Sequence, residues 1–130
     1  MNKSIVITGV ILIVLSILFG AFGAHALKEV LDSNQLTSFE TGVRYQMYHG
    51  LGLLMLGLSV QKFDFSLRWT FRLMLVGVIL FSGSIYLLSM QDVLGISFRF
   101  SGPITPLGGV LLISSWSILL FQMIKSRKPA

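Results

Sequence analysis

The sequence predicts an all-α membrane protein, an antiparallel bundle of four transmembrane helices with both termini in the cytoplasm. Three observations carry that expectation. Four apolar segments, Ile5–Phe22, Val43–Val60, Phe71–Met90 and Ile104–Ile124, make up most of the chain, and each is close to the ~20 residues a helix needs to cross ~30 Å of hydrocarbon. Of the 130 residues, 54% are hydrophobic and 12% charged, with a mean hydropathy of +0.83. A water-soluble domain carries about 25% charge, so this chain has too few charges to coat a surface facing water. The basic residues also collect at segment ends. With four spans, both termini share a side with the loop between the second and third segments. Lys3, Lys62, Arg68, Arg72, Lys125, Arg127 and Lys128 fall there, seven against the three of Lys28, Arg99 and Arg44 on the other side. The positive-inside rule then places the termini inside, in a cell (inner or plasma) membrane. The length fits one domain, 1–130, with helices at about 5–24, 38–60, 69–90 and 104–124.

The first helix imitates a secretory signal. Lys3, the run Ile5–Phe19 and Ala24-His25-Ala26 resemble a charged start, an apolar core and an A-x-A cleavage site. The run continues through Gly20-Ala21-Phe22, long enough to span, so the segment is expected to be retained. A loop from His25 to Thr37 follows, with Leu27, Val30 and Leu31 forming an amphipathic turn at the interface. Thr37-Ser38-Phe39-Glu40 has the form of a capping box and predicts a second helix starting near Ser38. Gln61–Arg68 reads as a tight inner turn, with Trp69 as an interfacial anchor. Gln91–Gly102 is an outer loop closed by Pro103. Thr105-Pro106 then reads as N-cap and first position of the fourth helix. Lys125–Ala130 is a short basic tail.

Several function classes are set aside by composition. No cysteine is present, so there is no disulfide and no thiolate ligand or nucleophile. The net charge of +5 comes without a basic stripe interleaved with aromatics, so no nucleic-acid partner is expected. No carboxylate pair, HExxH, GxSxG or phosphate loop appears, and the chain is not expected to be an enzyme. Two histidines without a carboxylate motif predict no metal site, and no cofactor is implied. The expected partners are membrane lipids and a second membrane chain, either another copy or a different protein.

Lipid supplies no hydrophobic drive between helices, so small residues mark contact faces. Gly9, Ser16, Gly20 and Gly23 share a stripe on the first helix. Gly42, Tyr45, His49 and Gly52 share one on the second, Ser82, Tyr86 and Ser89 on the third, and Gly108, Leu112 and Ser115 on the fourth. Gly83 and Gly109 join Gly20, Gly23 and Gly108 as expected packing positions. Gly20–His25, Thr41–His49, Ser82–Tyr86 and Thr105–Gly109 all fall in the outer half, whereas Leu53–Leu58 and Leu73–Leu80 make the inner half aliphatic. A small polar pocket opening outward is the expectation. A proton wire is not, because it needs ionisable groups along its whole path.

Each polar residue has two readings. His49 either donates to a carbonyl or to Ser82, or it handles a ligand or proton. His25 is either an interfacial helix end or a metal ligand. Tyr45 and Tyr86 are expected to hydrogen-bond between helices. Gln46 has more polar atoms than packing requires, which points to a ligand or water. Arg44 is expected to pair with Glu40 at i,i+4 and snorkel outward, and Asp92 to face outer water.

Four motifs in order, Gly20-Ala21-Phe22-Gly23-Ala24-His25, Tyr45-Gln46-x-x-His49, Phe81-Ser82-Gly83-Ser84-x-Tyr86 and Thr105-Pro106-x-Gly108-Gly109, resemble the signature of the YgdD/YwdK-like family. These are small bacterial inner-membrane proteins of unknown function, with a eukaryotic transmembrane relative. The resemblance covers nearly the whole chain. It implies a four-helix membrane protein and no activity. Phe39 stands where some relatives have Trp, and Arg44 falls between the motif positions.

Three classes of function remain. One is a membrane-embedded binding or assembly protein using the outer pocket. Another is a small oligomeric transporter or channel with His49 near its pore. The third, an intramembrane enzyme, lacks any catalytic motif. The aliphatic inner half favours the first.

Overall fold

In the computed structural model, residues 1–127 are described and form four long helices joined by short turns. Helix α1 is Lys3–Ala24, α2 is Ser33–Leu58, α3 is Arg68–Leu94 and α4 is Ile104–Lys125. Lys128, counted above among the inner basic residues, lies outside the described residues.

Local chemistry sets the boundaries, and three of them differ from expectation. A capping box starts α2, but it is Asp32-x-x-Gln35. Asp32 Oδ1 accepts the Gln35 N–H at 2.8 Å, and Gln35 Oε1 accepts the Asp32 N–H at 3.0 Å. Asp-x-x-Gln meets the same requirement as Thr-x-x-Glu. Leu27 and Leu31 bury beside Phe39, so the chain has already reversed by Asp32 and the helix starts at once. Thr37 then falls inside α2 and donates to Ser33 O at 2.7 Å. Helix α3 outlasts Met90 because no breaker precedes Gly95. Gly95 has φ +65, the left-handed conformation that ends helices. In α4, Thr105 is not the N-cap, because its hydroxyl lies 2.6 Å from Ser84 Oγ on α3. Pro106 sits in the first turn, where its missing N–H has no helical partner to lose.

The helices pack in chain order: α1 on α2, α2 on α3 and α3 on α4. Within the α1/α2 pair, a Cβ on Gly9 would stand 2.7 Å from Leu54 N and 2.8 Å from Gly50 O, and one on Gly57 would stand 2.9 Å from Val6 N. Within the α3/α4 pair, a Cβ on Gly108 would stand 2.8 Å from Phe81 Cα, and one on Gly77 would stand 2.8 Å from Leu112 Cδ2. These glycines let backbones touch. Gly20 and Gly109 are looser, with nearest side-chain atoms at 3.5 and 3.7 Å, and a Cβ on Gly83 meets nothing within 4 Å. Gly23 meets the Phe39 ring at 3.2 Å. Packing therefore requires Gly9, Gly57, Gly77 and Gly108 more than it requires Gly20, and it does not require Gly83.

Burial is inverted relative to a protein made for water. Ser16, Ser82 and Ser115 are 1%, 1% and 0% exposed, while Ile17, Ile113 and Ile124 are 58%, 68% and 73% exposed. The outward aliphatic faces suit hydrocarbon. Three helices, taken with their adjoining turns, are long and apolar enough to cross a membrane: Lys3–Glu29, Arg68–Leu94 and Arg99–Lys125. Helix α2 is not among them, although its 26 residues reach ~39 Å. Glu40, Arg44, Gln46 and His49 lower its mean hydropathy. The core closes around Leu53 and Met74, both 0% exposed.

Candidate functional site

Helix α2 sorts its polar residues by direction. Gln46 points inward and is 4% exposed. Its Nε2 donates to Leu12 O on α1 at 3.1 Å, and its Oε1 accepts the Tyr86 hydroxyl of α3 at 2.8 Å. One carboxamide thus joins three helices. Leu12 O also accepts the Ser16 hydroxyl at 2.8 Å. Ser82 donates across the seam to Gly42 O at 2.7 Å. The Tyr86 ring packs against Phe19 and Phe39, with centroids 5.1 and 5.0 Å apart. Gln46 and Tyr86 therefore bond to each other, and Gln46 and Ser82 to backbone carbonyls of neighbouring helices. This arrangement is interhelical glue rather than an outward pocket.

His49 lies one turn away and behaves differently. Its Nδ1 is 2.6 Å from Tyr45 O, not near Ser82, whose hydroxyl is committed to Gly42. A carbonyl only accepts, so Nδ1 carries the hydrogen of the neutral ring. Nε2 is then an acceptor, and it makes no hydrogen bond to the described residues. The imidazole faces a groove of about 530 Å³ between α2 and α4, floored by Phe81 of α3. Tyr45 packs on Phe81 at 4.8 Å, and His49 lies 6.1 Å from the Trp116 ring. Gly109, Ile113 and Ser117 complete the α4 wall. The groove opens sideways. Gly23 of α1 faces Phe39, whose ring would stand 3.2 Å from a Cβ there, and the Asn2 backbone N–H donates to Gly57 O at 2.8 Å, so the span shared with α1 runs from Phe39 to Gly57 and His49 is near its middle.

The other candidates stand apart. Arg44 is exposed, with its guanidinium 3.1 Å from Thr41 Oγ1 and 4.0 Å from Glu40 Oε2. Such an exposed pair contributes about 0.3–0.5 kcal/mol. His25 is exposed at the end of α1, away from His49. Asp92 is engaged by the Gln35 carboxamide. Among the described residues, no group of three or more His, Cys, Asp or Glu is placed to share an ion.

Two features were not anticipated. Ser115 donates to Thr70 O at 2.8 Å, which ties α3 to α4 in the half of the bundle nearer the termini. Trp116 covers Gly52, whose Cβ would stand 3.1 Å from the ring. A signal for the latter was present: tryptophan ordinarily sits at the membrane interface, whereas Trp116 is mid-helix.

Comparison with known proteins agrees with a membrane location. No solved structure matches the chain. A membrane protein of the UPF0382 group from Staphylococcus haemolyticus is 37% identical over 123 residues, covering 95% of this chain and 97% of the relative. The UPF0382 membrane protein YwdK of Bacillus subtilis is 38% identical over 125 residues, covering 95% and 98%. The UPF0382 inner membrane protein YgdD of Escherichia coli is 31% identical over 110 residues, covering 84% and 80%. The profile of the protein family of unknown function DUF423 matches residues 19–109. With that match and relatives aligned over nearly its whole length, this chain belongs to the DUF423 family of UPF0382 membrane proteins.

Proposed function

We propose that this protein is a membrane-embedded binding protein that seats the apolar chain of a lipophilic ligand in the groove between α2 and α4. The observation that carries the reading is an open apolar groove with an unsatisfied acceptor, His49 Nε2, set in its wall beside the Tyr45 and Ser117 hydroxyls. Its volume of about 530 Å³ lies within the range of ~300–1,000 Å³ usual for ligand sites. An acceptor in hydrocarbon is costly unless a donor meets it, so the fitting ligand carries a hydroxyl or amide N–H on its apolar chain. Leu53 and Met74, fully buried beneath the site, favour binding over passage through the monomer.

A photoactivatable diazirine-bearing fatty alcohol, incorporated with the protein into vesicles, tests this. Labelling is expected within α4 around Ile113–Leu120, stronger than with the matching alkane that lacks the hydroxyl. Ser117→Phe, which fills an exposed position of the groove, should cut labelling at least fivefold while leaving helicity unchanged. Undiminished labelling of Ser117→Phe would refute the groove as the site.

The reading includes α2 as the fourth span and both termini in the cytoplasm, from the basic asymmetry of seven against three. Cysteines introduced as Ser66→Cys and Ser126→Cys should resist an impermeant thiol reagent in intact cells, and Ser33→Cys should react. Reaction at Ser126→Cys reverses the orientation.

A further inference from the structure

A second pocket, of about 310 Å³, lies at the end of the bundle away from the termini. Helix α2 lines it with Asn34, Gln35 and Ser38, α3 with Leu88 and Ser89, and α4 with Thr105. Ser89 sets it apart. The residue is 3% exposed, and its hydroxyl has no partner. A helical serine or threonine in apolar surroundings ordinarily turns its hydroxyl onto a carbonyl one turn back. Buried Ser16 does so on Leu12 O, and the more exposed Thr37 and Thr41 do so on Ser33 O and Thr37 O. Ser89 makes no such bond, although its preceding turn is intact helix. A buried hydroxyl without a partner is destabilising, and a single rotamer step redirects it.

The chemistry of the walls narrows the ligand. Among the described residues, no ionisable side chain lines the pocket. The Gln35 carboxamide is committed to Asp32 and Asp92, and the Thr105 hydroxyl to Ser84. Asn34 and Ser38 make no side-chain hydrogen bond to the described residues. That leaves a carboxamide and two hydroxyls, all neutral, each able to donate and accept, above an aliphatic floor. Such a set matches neighbouring hydroxyls on a short carbon chain and offers nothing to a net charge. The pocket also sits level with the first two turns of α2, where the helices leave the hydrocarbon. We propose that it binds an uncharged glycerol-type polyol, with Ser89 as its buried contact. The source is either the headgroup of a neutral glycerolipid or a free polyol.

Native mass spectrometry of the full chain in detergent separates the cases. Three probes are compared: monooleoylglycerol, methyl oleate with the same chain but no diol, and glycerol alone. A one-to-one adduct is expected with monooleoylglycerol and not with methyl oleate. Competition by millimolar glycerol identifies the free polyol as sufficient, and its absence identifies the lipid headgroup. Ser89→Ala should weaken the monooleoylglycerol adduct about tenfold, the loss of one well-formed hydrogen bond. It should leave the thermal midpoint of the free protein unchanged or raised, because it removes an unpaired group. Equal adducts with methyl oleate, or full binding by Ser89→Ala, would overturn the proposal. Loss of the adduct in Ser117→Phe but not in Ser89→Ala would place the ligand in the α2/α4 groove and equally overturn it. A fall in the thermal midpoint of unliganded Ser89→Ala would show that the hydroxyl serves the fold instead.

Discussion

Within each hairpin, α1 with α2 and α3 with α4, backbone lies on backbone at Gly9, Gly57, Gly77 and Gly108. Between the hairpins, α2 meets α3 through side chains: Gln46 to Tyr86, Ser82 to Gly42 O, and the Tyr86 ring over Gly42. The first kind of contact depends on shape. A close backbone approach leaves no room for a side chain, and every atom along it gains dispersion. The second kind depends on hydrogen bonds, which average about 0.6 kcal/mol each between membrane helices. The hairpins have hydrogen bonds of their own, Gln46 to Leu12 O and Ser115 to Thr70 O, in addition to the glycine contacts, and this makes the seam the softer boundary. The groove with His49 runs beside that seam.

The most damaging way to break the comparison is to fill the hairpins. Gly108→Leu should destabilise by about 3 kcal/mol, the upper end for overpacking, because the new Cβ meets the Phe81 backbone, which cannot move aside as a side chain can. Gly9→Leu should cost a similar amount. Gly20→Leu, with ordinary contact distances, should cost less than half as much. Chemical unfolding in mixed micelles measures all three. If Gly20→Leu proves as harmful as Gly9→Leu, backbone approach is not what holds the α1/α2 pair.

The seam should respond more mildly. Gln46→Leu removes one hydrogen bond across the seam, from Tyr86, and one within the α1/α2 hairpin, to Leu12 O, and should cost about 1–2 kcal/mol. Tyr86→Phe should cost about 0.6 kcal/mol. In the double variant the two effects should not add, because they share one bond. Strict additivity would show that Gln46 and Tyr86 act independently and that the seam is held by something else. The smallest effect belongs to Gly83→Ala. With open space around its Cβ, it should change stability by less than ~0.5 kcal/mol, or raise it slightly, since alanine is the better helix former.

The helices and most of their inward faces are legible in the sequence because one chemical contrast marks them: glycine and serine inward, isoleucine and leucine outward. Gly9, Ser16 and Gly108 announce themselves in this way. The start of α2 is not legible, since Asp32-x-x-Gln35 and Thr37-x-x-Glu40 obey one pattern and only the burial of Leu31 with Phe39 selects between them. The partner of Gln46 is hidden for another reason. Leu12 contributes a carbonyl, which every residue has. The groove is hidden because α2 and α4 are not consecutive, and their spacing is set by how both lie against α3. His49 was visible as a polar residue in an apolar span, but its neighbours across the groove were not.

Packing in chain order has a consequence for biosynthesis. No helix waits for a distant one to find its principal partner. The first two can close on each other as soon as Gly57 has left the ribosome and Asn2 can donate to its carbonyl, before α3 has joined them in the membrane. The second pair can close likewise, and the last event is the meeting of two finished halves along the hydrogen-bonded seam. A chain arrested once α2 has left the ribosome and before α3 has joined it in the membrane should therefore already hold an inserted unit with its glycine contacts in place, one that leaves the Gln46 carboxamide oxygen awaiting Tyr86. Assembly is then a reaction between two preformed pieces, and the two halves supplied as separate chains should find each other in the same bilayer.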